Sequence, residues 1–154
     1  MASLARMHTA EHILTRVMIS RFGATRNYEM HLTERKGKCD YDVPRDLTPE
    51  ELAEVERLVN EVIARDLPVE VEVVPLEEAQ GKYDLWKVPK DVREVRIVRI
   101  GDFDATPCSG DHARSTGELG RFVIVSVDRK DDGLLRIRFK LREGTPTECN
   151  AHNI

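Results

Sequence analysis

His8 and His12, in the run His8-Thr9-Ala10-Glu11-His12, are four residues apart. On an α-helix that spacing puts them on one face, roughly 40° apart, where two imidazoles can share a metal ion. Such a pair alone is an ordinary feature of helical surfaces. A second pair about a hundred residues on, in Cys108-Ser109-Gly110-Asp111-His112, changes its meaning. Thiolate and neutral imidazole are the donors zinc favours, and two pairs from distant segments make the usual tetrahedral count. Gly110 suits a tight turn that aims Cys108 and His112 at one point, and Pro107 places this pair in a loop. The residues therefore read as one zinc ion per chain, held by His8, His12, Cys108 and His112.

The first run also fits H-x-x-E-H, the inverted zinc-protease pattern, with Glu11 as general base. A small zinc peptidase would need a third ligand, for which Glu77 and Glu78 are available, and it leaves Cys108 and His112 without a role. As a carboxylate neighbouring the metal ligands, Glu11 has a simpler part.

The elements that must position these donors follow from hydrophobic spacing. Ala10, Ile13, Leu14, Val17 and Met18 form an apolar arc opposite the histidines, on a helix that Gly23 ends. Asn27 to Thr33 alternates with period two, putting Tyr28, Met30 and Leu32 toward a core and Asn27, Glu29, His31 and Thr33 on the other face. Lys38 to Val43 returns as a hairpin partner, with Cys39 packed inside. Thr48-Pro49-Glu50-Glu51 starts a second helix with an N-cap, a first-turn proline and a capping box.

Val69–Val74 is a short strand, and Pro75–Gln80 offers one or two helical turns. Lys82–Lys90 is irregular and holds the only tryptophan, Trp86, read as a packing anchor in preference to a base-stacking platform. Val92–Ile100 is a strand, Gly101–Pro107 the loop that delivers Cys108, and Phe122–Val127 and Leu134–Leu141 a closing hairpin around Asp131-Asp132-Gly133. Two helices with runs of antiparallel strands make a single α+β domain over residues 1–142, with the metal site in a cleft. Residues 143–154 read as a polar tail whose Cys149 and His152 make a decoy metal pair.

With 154 residues, 34% charged and 40% apolar, the chain can bury a core without staples. No apolar run is long enough for a membrane span, and the first residues lack the hydrophobic region of a signal peptide, so the expectation is a cytoplasmic protein. Three cysteines suggest no disulfide framework. A net charge of −4 argues against a nucleic-acid partner. Basic residues nevertheless collect after Lys82, and a strip through Arg93, Arg96, Arg99, Arg136, Arg138, Lys140 and Arg142 is either a phosphate-binding surface or a solvated strand face.

With both pairs in view, the chain resembles the editing domain of alanyl-tRNA synthetase and its freestanding relatives, the small alanyl-tRNA editing proteins. His8-Thr9-Ala10-x-His12 is similar to that family's H-[ST]-A-x-H. Cys108-x-Gly110-x-His112, followed by Thr116-Gly117-Glu118-Leu119-Gly120, is similar to its C-x-G-x-H…T-G-E-[IL]-G. The order of elements matches from roughly Arg6 to Leu141. Threonyl-tRNA synthetase editing domains share the ligand pairs, but the Thr-Gly-Glu-Leu-Gly run is closer to the alanyl branch.

The resemblance implies a trans-editing hydrolase that removes serine, and possibly glycine, from mischarged tRNA(Ala), with zinc on His8, His12, Cys108 and His112. It implies that the strand at Asn27–Thr33 lines the amino-acid pocket. Asn27, Glu29, His31, Gly110, Asp111 and Thr116 are then the candidate substrate contacts, and Cys108 and Glu29 the candidate catalytic groups. Four protein ligands describe a closed site, so either Cys108 exchanges or the ion orients substrate without activating water. The alternatives are threonyl-type editing of seryl-tRNA(Thr), a non-catalytic zinc-stabilised tRNA-binding module, and the zinc peptidase.

Overall fold

The computed structural model describes residues 3–145; the tail and its Cys149–His152 pair lie outside the described residues. The chain opens with helix α1 (Leu4–Phe22). Ser3 caps it, its side chain accepting the Arg6 N–H at 3.2 Å, and Gly23 ends it in the left-handed region at φ 77°. Ala10, Ile13, Leu14, Val17 and Met18 are all buried, as their spacing requires. The opposite face is covered too, because Thr9, Glu11 and His12 are buried polar residues.

Strands β1 (Asn27–Leu32) and β2 (Gly37–Tyr41) form the expected hairpin. Helix α2 (Pro49–Ala64) begins with the complete capping box: Glu51 N–H donates to Thr48 Oγ1, and Thr48 N–H to the Glu51 carboxylate. Strand β3 (Val69–Pro75), the short helix α3 (Leu76–Ala79) and strand β4 (Glu94–Ile100) follow. Strand β5 (Asp104–Pro107) replaces the loop expected there. Gly101, at φ 50°, turns the chain so that Asp104–Pro107 pairs antiparallel with β4. Four residues ending in proline carry too little alternation to read as a strand in sequence. A 3₁₀ turn (Thr116–Leu119) leads to β6 (Arg121–Arg129) and β7 (Leu135–Arg142).

The strands make two antiparallel sheets in one α+β domain, a four-stranded one ordered β1-β2-β7-β6 and a three-stranded one ordered β3-β4-β5. The main core fills the space between α1, α2 and the larger sheet, with Tyr41, Phe122, Phe139, Ile13 and Leu14 at its centre. A smaller core of Ala79, Val95 and Ile97 sits under Tyr83, Leu85, Val88 and Val92, on the three-stranded sheet. Among the described residues no helix is long and apolar enough to cross a membrane.

Strand β1 departs from simple alternation. Its register with β2 shifts between Asn27 and Glu29, a bulge that moves Asn27 onto the same face as Met30 and Leu32. The cause is local: Asn27 Oδ1 accepts the Asp40 N–H at 3.1 Å, standing in for a ladder carbonyl. Tyr28, expected in the core, is turned out and is 37% exposed.

The Thr-Gly-Glu-Leu-Gly run seats the end of α2. Thr116 Oγ1 donates to Val62 O and accepts the Leu67 N–H, both at 2.9 Å, and Gly117 N–H donates to Asp66.

Candidate metal centre

One ligating atom from each of His8, His12, Cys108 and His112 lies within 4.8 Å of the other three. Helix α1 presents His8 and His12, and the loop leaving β5 presents Cys108 and His112. Cys108 Sγ is 3.4 Å from His8 Nε2 and 3.4 Å from His112 Nε2. Tetrahedral bonds of about 2.3 Å to sulfur and 2.0 Å to nitrogen put such atoms roughly 3.5 Å apart, so the spacing fits a metal of zinc's size.

The chemistry of the donors fits as well. Burial pushes the Cys108 thiol up, but hydrogen bonds from His112, His12 and His8 outweigh it and bring the thiol down to about 3, so the group is a thiolate. Burial would lower His12, yet the Cys108 thiolate and the Glu11 and Asp104 carboxylates raise it. Burial lowers His112, helped by the neighbouring His12 and His8. Three imidazoles gathered on one thiolate, with ring centroids 4.4–5.1 Å apart, are a donor set for a cation.

Supporting residues fix the orientation of these rings. Thr9 Oγ1 donates to Ala5 O at 3.1 Å and accepts the Ala113 N–H at 3.0 Å. Its single proton is therefore spent, and His112 Nδ1, 3.0 Å away, must be the donor in their contact. That tautomer leaves the His112 Nε2 lone pair for a metal. His12 Nδ1 is buried without a hydrogen-bond partner and stands 3.8 Å from Asp104 Oδ2. The Asp104 carboxylate is held by Arg16 Nε at 2.7 Å and Thr106 Oγ1 at 2.8 Å.

Arg96 clamps the ligand loop, donating to Cys108 O at 2.8 Å and Gly110 O at 2.7 Å. Gly110 is needed for close approach rather than for an unusual turn, since a Cβ there would overlap the His8 ring. Thr9 and Asp104 carry no role in the sequence reading, and Arg96, read there as part of a basic strip, instead holds the ligand loop. Asp104, Thr106 and Cys108 follow the two-residue repeat of one strand face, a pattern too short to mark Asp104 in the sequence alone.

The cluster opens onto a cleft of about 740 Å³ between α1, β1, the 82–89 segment and the β4–β5 sheet. His8, His12, Cys108, Gly110 and Asn27 line it. Glu11 lies there too, with Oε1 3.9 Å from His8 Nε2 and 3.8 Å from His12 Nε2. Its other oxygen accepts from Thr15 Oγ1 at 2.7 Å and Asn27 Nδ2 at 3.1 Å, and Thr15 in turn accepts from the buried Tyr41 hydroxyl at 2.8 Å. A buried relay thus fixes one carboxylate oxygen and aims the other at the cleft.

The remaining site expectations from sequence fall elsewhere. Glu29 and His31 keep the non-core face their alternation assigns, but the β1 bulge parts Asn27 from them and that face lies outside the cleft lining, with Glu29 3.5 Å from Lys130 Nζ. Asp111 is exposed and off the cleft, and Thr116 is buried beneath α2. Thr33 caps its own turn through the Arg35 and Lys36 N–H groups. Glu77 and Glu78 are not among the clustered donors.

The basic strip is largely spent internally. Arg96 holds the ligand loop, Arg99 pairs with Glu72 at 2.7 Å, Arg136 with Asp40 at 2.8 Å, and Arg138 with Asp128.

Residues 95–138, which include Cys108, His112 and the Thr-Gly-Glu-Leu-Gly run, match the family described as threonyl and alanyl tRNA synthetase second additional domain. The chain is 38% identical over 151 residues to the alanine–tRNA ligase of Pyrobaculum calidifontis, covering 89% of this chain and 16% of that protein. It is 40% identical over 135 residues to that of Treponema denticola (85% and 22%) and 35% identical over 144 residues to that of Methanopyrus kandleri (91% and 16%). The resemblance to alanyl-tRNA synthetase read from the paired motifs therefore holds over most of this chain. The chain spans 16–22% of the length of these relatives.

Proposed function

We propose that this chain is a zinc-dependent deacylase that acts in trans on mischarged tRNA(Ala), removing serine. The observation that carries the reading is the convergence of His8, His12, Cys108 and His112 at the floor of an open cleft, in a chain similar to a stretch of alanine–tRNA ligases. A closed peptide-cleaving site has less support, because the Cys108–His112 pair completes the donor set without any further carboxylate.

His8, His12, Cys108 and His112 would hold the ion, and with all four bound zinc would supply a fixed positive charge that orients the aminoacyl ester rather than an open position that activates water. The chain's own groups do the rest. Thr9 keeps His112 in the orientation that leaves its Nε2 free, and the Asp104 carboxylate stands behind His12 Nδ1 at 3.8 Å. Arg96 keeps the ligand loop rigid. Glu11 Oε1, whose twin oxygen Thr15 and Asn27 already hold, is the acceptor offered to the aminoacyl group.

A serine hydroxyl satisfies that acceptor, whereas alanine leaves the largely buried Glu11 carboxylate without that partner. A site built to hydrogen-bond a hydroxyl can reject the analogue lacking it by about 10⁴–10⁵. The amino-acid pocket is thus built from Glu11 and Asn27 rather than from an outer β1 face.

The test is deacylation of seryl-, glycyl- and alanyl-tRNA(Ala) by the isolated chain, with and without chelator. Chelator-sensitive release of serine with alanyl-tRNA spared is the expected result. Equal hydrolysis of seryl- and alanyl-tRNA, or no hydrolysis of any, would sink the proposal.

A further inference from the structure

Away from the metal cluster, the cleft is walled by Arg26, Trp86 and Lys87. Trp86 does not act as the packing anchor expected from its place in the sequence. It belongs to neither apolar core and is 43% exposed, although the smaller core lies directly beneath its own segment. A tryptophan that large is highly buried on average when packing is its purpose. Tyr28, thrown outward by the β1 bulge, stands beside it with ring centroids 5.8 Å apart at 55°.

Cations gather on these rings. The Arg26 guanidinium is 4.9 Å from the Trp86 ring centre and 5.8 Å from that of Tyr28, and Lys87 Nζ is 5.1 Å from Trp86. Arg26 is 2.9 Å from Asp84 but poorly aligned for a hydrogen bond, and among the described residues Lys87 has no ion-pair partner. Half-exposed aromatic rings flanked by an ion-paired arginine and a lysine with no ion-pair partner among the described residues resemble the means by which proteins hold unpaired nucleotides: bases stack on the rings or on arginine planes, and phosphates meet the cations.

The size of the cleft points the same way. About 740 Å³ falls in the range of sites for drug-sized ligands and far exceeds the needs of one amino acid beside the cluster.

We propose that Trp86, with Tyr28, is a stacking platform for an unpaired nucleobase at the 3′ end of the RNA, and that Arg26 and Lys87 contact its phosphates. The inference rests on the deacylase reading above, since an amino acid esterified to a terminal ribose brings a nucleobase into the same cleft. It assigns the outer half of the cleft to RNA and the inner half to the aminoacyl group.

Trp86 is the only tryptophan in the chain, so its fluorescence reports this site alone. The experiment titrates the zinc-loaded protein with an uncharged RNA hairpin bearing a short single-stranded 3′ overhang, and with the same hairpin made blunt. Trp86 emission and the polarisation of a label at the 5′ end are read together.

The overhang should quench Trp86 and tighten binding roughly 5- to 150-fold over the blunt hairpin, the range for one stacked base. Trp86→Ala should abolish that advantage and Trp86→Phe should keep most of it, both with unchanged thermal unfolding. Binding of the overhang hairpin without quenching, or equal affinity in Trp86→Ala, overturns the platform while leaving the deacylase reading to its own test. If neither hairpin binds, the platform falls, and the deacylase reading is decided separately by deacylation of seryl-tRNA(Ala).

Discussion

Two clusters of ionisable side chains sit within this small domain, one at the floor of the cleft and one on the outer face of the four-stranded sheet, and they are built in opposite ways. On the sheet, Asp40 is fully buried but accepts from Lys130 Nζ at 2.6 Å and from Arg136 at 2.8 and 3.0 Å. Lys130 also reaches Glu29 and Asp132, and Arg138 pairs with Asp128. Each of these named charges is answered by another.

At the cleft floor, the thiolate and imidazoles turn their lone pairs toward a common point, and the surrounding partners occupy only their outer sides. A network that closes on itself stabilises a fold. One that leaves its donors converging on an open cleft is prepared for a ligand.

The comparison is broken most severely at His12. Replacing His12 by Ala should remove metal and deacylation together, measured by elemental analysis and single-turnover assay. Retention of a full metal complement would mean that the donors do not act as a unit. A graded version is Asp104→Asn, which keeps the four donors but weakens the support behind His12; metal affinity should fall about 10- to 100-fold by competition with a chelator dye.

Asp40→Asn should sharpen the contrast from the other side. Removing one partner from a buried ionic network costs about 3 kcal/mol, the lower end of the usual range because Lys130 and Arg136 keep some access to water. Metal content should not change. Burial alone would raise the Asp40 carboxyl, but hydrogen bonds from Arg136 and Lys130 hold it below its ordinary value. Its stabilising contribution is therefore complete above the unfolded value of about 3.9 and is lost as pH falls through the lower folded value. Denaturant unfolding of wild type and Asp40→Asn should accordingly diverge at neutral pH and converge in acid.

The pairing of ligands was legible in the sequence because helical and loop spacings are local facts: His8 with His12, Cys108 with His112. The capping box at Thr48 and the apolar arc of α1 were legible for the same reason. The bulge in β1 was not. It depends on Asn27 replacing a ladder carbonyl for Asp40, a contact between strands that alternation cannot announce, and one such bulge reverses the facing of Tyr28 and Asn27. The parts of Thr9 and Arg96 were hidden for a related reason, since both act through loop atoms about a hundred and about a dozen residues away.

The smallest expected effect lies on the face that the bulge parts from Asn27. Glu29→Ala and His31→Ala, on the exposed face of β1, should change stability by less than about 0.5 kcal/mol and leave deacylation rates at the wild-type level. A large loss of activity in either variant would return that face to the substrate site.

X-ray absorption of the zinc-loaded protein, with metal stoichiometry measured on the same sample, tests the metal centre itself. One metal per chain is predicted, with one sulfur at about 2.3 Å and three nitrogens at about 2.0 Å. A first shell without sulfur, or one built from oxygen, would show that Cys108 and the three histidines do not hold the ion together and would contradict the account.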